Sequence, residues 1–272
     1  MSSPRPPLSL CIIARDEEAN LPRCLASARF ADDVVVLDSG STDRTVEIAR
    51  AAGARVFVEP FRGHVRQKAR AVELARHDWV LCLDADEELS PELAASVERA
   101  LQAADPACGG FELARKTCYA GRFIEHGGWW PEWRLRLFDR RRGGWTGEDP
   151  HDRVEVAAAG VGRLEGALHH YAYRDLAHHL EKVNRYTSTM AHGLLARGRP
   201  FRCSDLLVRP AARFLRMYVV RAGFRDGIRG LVLAVIGAFY VFAKYAKRWE
   251  LGEQAGKPPP LPNAAAESGR ER

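Results

Sequence analysis

Residues 79–89 read WVLCLDADEEL, an apolar run of strand length that closes on four acids. Asp84 and Asp86 are separated by one residue at the end of that run. Side chains two apart on a strand share a face, so both carboxylates can serve one divalent cation through oxygen. A solvated acidic turn that caps the helix opening at Ser90-Pro91 is the other reading, with the proline in the first turn where its missing N–H costs nothing.

The upstream sequence repeats this plan. LSLCIIA at 8–14 precedes the polar turn Arg15, Asp16, Glu17, Glu18 and a helical stretch at 21–28; VVVLDSGSTD at 34–43 precedes TVEIARAAG, whose Gly53 suits a helix end. A short strand RVFVEP and a helix over 65–76 lead into the 79–89 run. Strands buried on both faces and alternating with helices predict an α/β fold, a mainly parallel Rossmann-like sheet flanked by helices. Ligands of such sheets sit at the carboxyl ends of the strands, where RDEE, DSGSTD and DADEE would converge. The sequence has no G-x-G-x-x-G after its first strand and no G-x-x-x-x-G-K-[ST], which excludes a dinucleotide fingerprint and a P-loop. Beyond residue 110 shorter segments can extend the sheet with antiparallel strands. Helices are expected from Asp175 to about Leu195 and over most of 205–250. The implied division is an unstructured 1–7, a sheet domain at 8–170, a helical extension at 171–250 and an unpacked tail at 251–272.

With 46% hydrophobic and 28% charged residues the composition is globular, and six cysteines without a C-x-x-C pair argue against a zinc site or a disulfide framework. The N-terminal MSSPRPP is too polar for a signal peptide, giving a cytosolic expectation. The net charge of +6 is local: residues 201–250 carry ten Lys or Arg against Asp205, Asp226 and Glu250. That pattern fits an anionic surface better than a nucleic-acid groove.

Four motifs in order, LSLCIIARDEEANLPRCLAS, VVVLDSGSTDRTVEIA, GHVRQKARAVELA and DWVLCLDADEEL, resemble the inverting glycosyltransferases of family 2, which have the GT-A nucleotide-sugar fold. WRLRLFDRR, PHDRVEV and HHYAYRDLAHHLEKVNRYT further resemble the branch with lipopolysaccharide-core beta-1,4-glucosyltransferases. The resemblance implies a metal-dependent hexosyltransferase with Mg²⁺ or Mn²⁺, a nucleotide-sugar donor (UDP-glucose) and a glycolipid acceptor such as lipopolysaccharide core. Ala14, Arg15 and Glu17 would lie at the base, Asp38 at the uracil or ribose with Ser41 beside it, and Lys68 near the diphosphate. Asp84 and Asp86 would form the D-x-D with Ala85 between them. The first motif commonly has Asn where this chain has Asp16. Asp152, following His151, is the expected general base, with Glu148 and Asp149 as rivals. Apart from the resemblance, one of His169 and His170 can complete the metal shell or simply hydrogen-bond a loop, and His170 is the expected ligand. The alternatives are another cell-surface or polyprenyl-phosphate glycosyltransferase, a non-catalytic membrane-surface adaptor and, behind these, a nucleotidyltransferase.

Three further features have two readings each. Trp129 and Trp130 can stack on a sugar or cover the core, and Arg134 and Arg136 share a strand face toward acceptor phosphates or solvent. LVLAVIGAFYVFA at 231–243 is short of a bilayer crossing and is framed by Arg and Lys, which suits a helix lying on an anionic inner-membrane surface or packed on the core.

Overall fold

The computed structural model describes residues 5–103, 107–147, 152–157 and 160–255. The chain forms two compact units, Met1–Arg174 and Asp175–Arg272. The boundary lies four residues beyond the one expected from sequence.

The first unit opens with the expected alternation: β1 (Leu8–Ala14), α1 (Leu21–Ser27), β2 (Asp33–Asp38), α2 (Thr45–Ala51), β3 (Arg55–Val58), α3 (His64–Glu73) and β4 (Trp79–Asp84). The apolar stretch at 79–89 does not continue as one strand. It breaks after Asp84, and β5 (Glu87–Leu89) leaves for the far end of the sheet before α4 (Pro91–Gln102). Ser90 caps α4 by accepting a hydrogen bond from the Leu93 N–H at 3.2 Å. Then follow β6 (Cys108–Tyr119), β7 (Arg122–Phe123), β8 (Glu132–Asp139), β9 (Gly143–Thr146), β10 (Arg153–Val156), β11 (Gly160–Arg163) and β12 (Leu168–His170).

The main sheet runs β3-β2-β1-β4-β8-β6-β12-β5. Its first four strands are parallel, β8 is antiparallel to β4, and β6 is antiparallel to β8. Parallel strands covered on both faces must be apolar throughout, and Leu8, Leu10, Ile12, Val36, Leu81 and Leu83 are fully buried in one core. β9 and β10 form a separate antiparallel hairpin that places Trp145 opposite Val154 and returns the chain at Asp152. All six cysteines are free thiols.

The second unit contains α5 (Leu176–Ala196), α6 (Ser204–Leu215) continued by a π-helical turn (Arg216–Val220), a 3-10 turn (Gly223–Asp226) and α7 (Gly227–Ala255). Asp175 caps α5 by accepting from the His178 N–H at 2.7 Å. Sequence reading isolated a 13-residue apolar run here. The helix is 29 residues long and continues through Ala255, into the stretch expected to be an unpacked tail. By length and composition it can cross a membrane.

The core sets the stability of the first unit. Leu81→Ala, at a fully buried site, is expected to cost about 2–5 kcal/mol. Val58→Ala, on an exposed strand end, should stay within about 0.5 kcal/mol. Urea unfolding of both variants measures the difference.

Candidate active site

The carboxyl ends of β1, β2 and β4 each deliver a polar segment to one edge of the sheet. At β1, Ala14 is buried and its carbonyl accepts from the Ser39 N–H, while Arg15 is exposed. Asp16 has φ +55°, a left-handed conformation that Asp and Asn tolerate better than most residues. Its Oδ1 accepts from the Thr42 N–H at 2.7 Å, tying the first turn to the second. Asn would meet both requirements as well as Asp does, so the turn is compatible with either residue. Glu17 lies in the turn ahead of α1, where Oε2 accepts from Asn20 Nδ2 at 2.7 Å.

Asp38 is buried, and its carboxylate accepts from the Gly40 and Ser41 N–H groups at 2.9 Å each and from the Ser41 hydroxyl. Asp38 and Ser41 thus shape the turn that presents this edge. Asp43 reaches the start of α2, accepting from the Thr45 N–H at 2.9 Å.

At β4 the geometry is denser. Lys68, on the face of α3 turned to the sheet, is 7% exposed and lies 2.8 Å from both Asp84 Oδ1 and Asp152 Oδ2. Its Nζ stands 4.7 Å from the Trp145 ring centroid. Arg136 of β8 is 2.8 Å from the other Asp84 oxygen and 2.9 Å from Glu87 Oε1. Arg115 of β6 then pairs with Glu87 at 3.3 Å and with Glu132 at 2.7 Å. A line of alternating charges, Asp152, Lys68, Asp84, Arg136, Glu87, Arg115, Glu132, passes through the interior. Both expectations for Arg136, acceptor phosphates or solvent, are corrected: it is 4% exposed and joins Asp84 to Glu87. Arg134 pairs with Glu132.

This neutralisation controls ionisation. Burial alone would raise the Asp84 pKa, but the charges of Lys68 and Arg136 and the Lys68 hydrogen bond outweigh it and hold the carboxyl well below the ordinary range. Burial likewise opposes ionisation of Asp152, and Lys68 with Arg136 again prevails, so Asp152 is held below the usual carboxylate range. Both residues are carboxylates at neutral pH.

Ala85 is buried in the turn between β4 and β5, and Asp86 follows it on a different path from Asp84. β12 pairs with β5 so that His170 lies opposite Glu87, and this register brings His170 Nε2 to 3.5 Å from Asp86 Oδ2. The neighbouring His169 instead stacks on Phe123 at 4.2 Å between centroids. The two acids of the D-x-D therefore have different surroundings: Asp84 meets two cations, and Asp86 meets an imidazole. Among the described residues no group of three or more His, Cys, Asp or Glu is placed to enclose a metal. An oxygen and an imidazole nitrogen side by side would suit a divalent ion that draws only part of its ligands from the protein.

Asp152 is described and stands across Lys68 from Asp84. Its rivals Glu148 and Asp149, and its neighbour His151, lie outside the described residues. Sequence reading did not find Glu87, Arg115 or Trp145. Glu87 was visible only as one of four acids, and the link to Arg136 depends on the antiparallel register of β8.

Residues 9–160 match the family model described as glycosyl transferase family 2, and the chain belongs to that family. Its sheet is the GT-A nucleotide-sugar fold, with polar turns gathered at the carboxyl ends of the parallel strands. The chain is 32% identical over 259 residues to the lipopolysaccharide core biosynthesis glycosyltransferase LpsC of Rhizobium meliloti, covering 91% of this chain and 93% of that protein. An uncharacterized glycosyltransferase of Rickettsia typhi is also 32% identical, over 90% of this chain and 87% of its own. Among solved structures, glucosyl-3-phosphoglycerate synthase from Mycobacterium tuberculosis, crystallised with Mn²⁺, UDP and its product, aligns with a TM-score of 0.47 at 19% identity, over 74% of this chain and 83% of that one.

Removing the central cation should expose the dependence on charge. Arg136→Met leaves Asp84 and Glu87 buried with less compensation, at an expected cost of about 3–5 kcal/mol. The depressed pKa of Asp84 gives stability that is present above its unfolded value, about 3.9, and lost as pH falls through the folded value. Urea unfolding at a series of pH values should therefore show the variant losing less further stability below about pH 4 than the parent.

Proposed function

We propose that this chain is a metal-dependent inverting hexosyltransferase that moves glucose from UDP-glucose to a glycolipid acceptor such as lipopolysaccharide core. The observation that carries this reading is the division of labour at the end of β4. Asp84 is tied to Lys68 and Arg136, Asp86 faces His170, and Asp152 stands on the opposite side of Lys68. Asp86 and His170 would hold the ion, with Asp84 oriented behind them; the carboxylate suits Mg²⁺ or Mn²⁺, and the imidazole favours the transition ion. Bound there, the ion supplies positive charge toward a departing diphosphate.

Lys68 is a buried cation at the same edge and meets the diphosphate from the α3 side. The turns carrying Ala14, Arg15, Glu17, Asp38 and Ser41 receive the nucleoside, and Ala85 keeps the two acids at their separation. In a single displacement the acceptor hydroxyl oxygen attacks the anomeric carbon, the bond to the diphosphate oxygen breaks, and Asp152 takes the hydroxyl proton. A carboxylate held ionised by Lys68 is in the proton-accepting form at neutral pH. The similarity to LpsC supports the glycolipid acceptor class, and a basic C-terminal unit supports peripheral attachment at the inner face of the cell membrane.

Asp152→Asn is expected to retain UDP binding while lowering turnover by about 100-fold or more, the scale of a lost general base. Full turnover in this variant would remove Asp152 from the role and pass it to Asp149 or Glu148. Titration calorimetry of Asp86→Ala should show UDP binding that no longer strengthens on adding Mn²⁺. A gain equal to that of the parent would contradict the metal assignment.

A further inference from the structure

The second unit is built as a helical hairpin. Arg209 lies 5.3 Å from the ring centroid of Tyr245, and Met217 meets Gly237, so α6 with its π-helical turn runs antiparallel along α7. The approach is close: a Cβ at Gly237 would stand 2.6 Å from Met217 Sδ and would make that side chain shift. Leu233, Ala234 and Tyr245 are buried on this side of α7.

The other side of α7 is apolar and open. Ile228, Val235, Phe239, Phe242 and Trp249 are 41–67% exposed. At 100° per residue they fall within a sector of about 80°, along roughly 32 Å of helix. The hairpin turn adds Val219, Val220 and Phe224, with Val220 78% exposed. Isolated apolar residues on a surface need no explanation, but a continuous helical stripe does. Cations accompany it: Arg209, Arg213, Arg216, Arg221, Arg225 and Arg229 occur between 205 and 229, against only Asp205 and Asp226 there. Arg209 is spent on Asp205, whereas Arg216, Arg221 and Arg225 are exposed.

Crossing a bilayer does not fit this helix. Its last turns are fastened to α5, where Lys247 Nζ reaches the Asn184 carbonyl at 2.7 Å, Thr187 Oγ1 at 2.9 Å and Ser188 Oγ at 2.8 Å. A spanning α7 would draw α5, with Glu181 and Arg185 among its residues, into hydrocarbon.

We propose that the α6–α7 hairpin is a monotopic membrane-docking device: the α7 stripe and the hairpin turn enter one leaflet, and Arg216, Arg221 and Arg225 meet anionic lipid headgroups. The proposal deepens the membrane attachment suggested above by naming the surface that makes it. An apolar stripe bordered by arginines matches an interface with acyl chains below and phosphates at its rim. The apolar part supplies affinity that resists salt, and the arginines supply the part that salt screens.

The test is co-sedimentation of the full chain with vesicles of phosphatidylcholine alone or with phosphatidylglycerol, at low and high salt. The parent should bind the anionic vesicles, more weakly at high salt. Phe239→Ser/Phe242→Ser should lower the partition coefficient at least about tenfold at both salt concentrations. Arg216→Gln/Arg221→Gln/Arg225→Gln should remove most of the salt dependence. These side chains are exposed, and circular dichroism melts should match the parent. UDP binding, measured in the same samples without lipid, reports on the enzyme reading separately and should be unchanged by these variants. A parent chain that stays in the supernatant with anionic vesicles at low salt overturns the proposal, as do variants that bind like the parent. So does a concentration-dependent dimer that the Phe239/Phe242 variant abolishes, since the stripe would then be covered by a second copy.

Discussion

One buried lysine organises the candidate active site. Lys68 stands 2.8 Å from two carboxylates supplied by segments 68 residues apart in the chain, Asp84 at the end of β4 and Asp152 beside the β9–β10 hairpin. Alone, each would be costly to bury as an anion; around one ammonium group they become mutually supporting. Arg136 completes the balance on the far oxygen of Asp84 and passes it on to Glu87. The cost of burying this ionic chain is met by the apolar sheet core around it. The benefit is orientation, since every carboxylate in the line has its direction fixed by a cation on a different element.

That fixed direction has a chemical consequence at the D-x-D. Because Asp84 is committed to Lys68 and Arg136, Asp86 is the acid turned toward His170. Two acids one residue apart thus have different partners, Lys68 and Arg136 for Asp84 and an imidazole for Asp86. The break in the strand after Asp84 is what permits this, since an uninterrupted strand would have aimed both side chains the same way.

The sequence made the first half of this fold legible because each apolar run is long, buried on both faces and closed by a polar turn. The same pattern located Asp84, Asp86 and the three strand-end turns, the resemblance to family 2 supplied Lys68 and Asp152, and His170 was singled out by the metal affinity of an imidazole. Arg136, Glu87 and Arg115 were not legible as partners. Their pairing depends on β8 and β6 entering the sheet antiparallel beside β4, and a register across distant strands leaves no trace in local spacing. Asp38 shows the converse: a residue easily singled out, whose carboxylate the fold uses to close its own turn. In α7 the apolar run ended at Ala243 on paper, but the helix continues because Lys247 and Arg248 are taken up by α5 and the Arg199 carbonyl.

The central claim is that Asp86 and His170 hold a divalent ion against the diphosphate of the donor while Lys68 meets it from the other side. The direct measurement is a crystal structure of the full chain with Mn²⁺ and UDP, with anomalous scattering recorded to locate the manganese. The account predicts one strong peak bonded to Asp86, His170 and diphosphate oxygens, with Lys68 Nζ contacting the same diphosphate. A peak bound by other side chains, or UDP bound at the strand ends with no manganese beside Asp86, would contradict it.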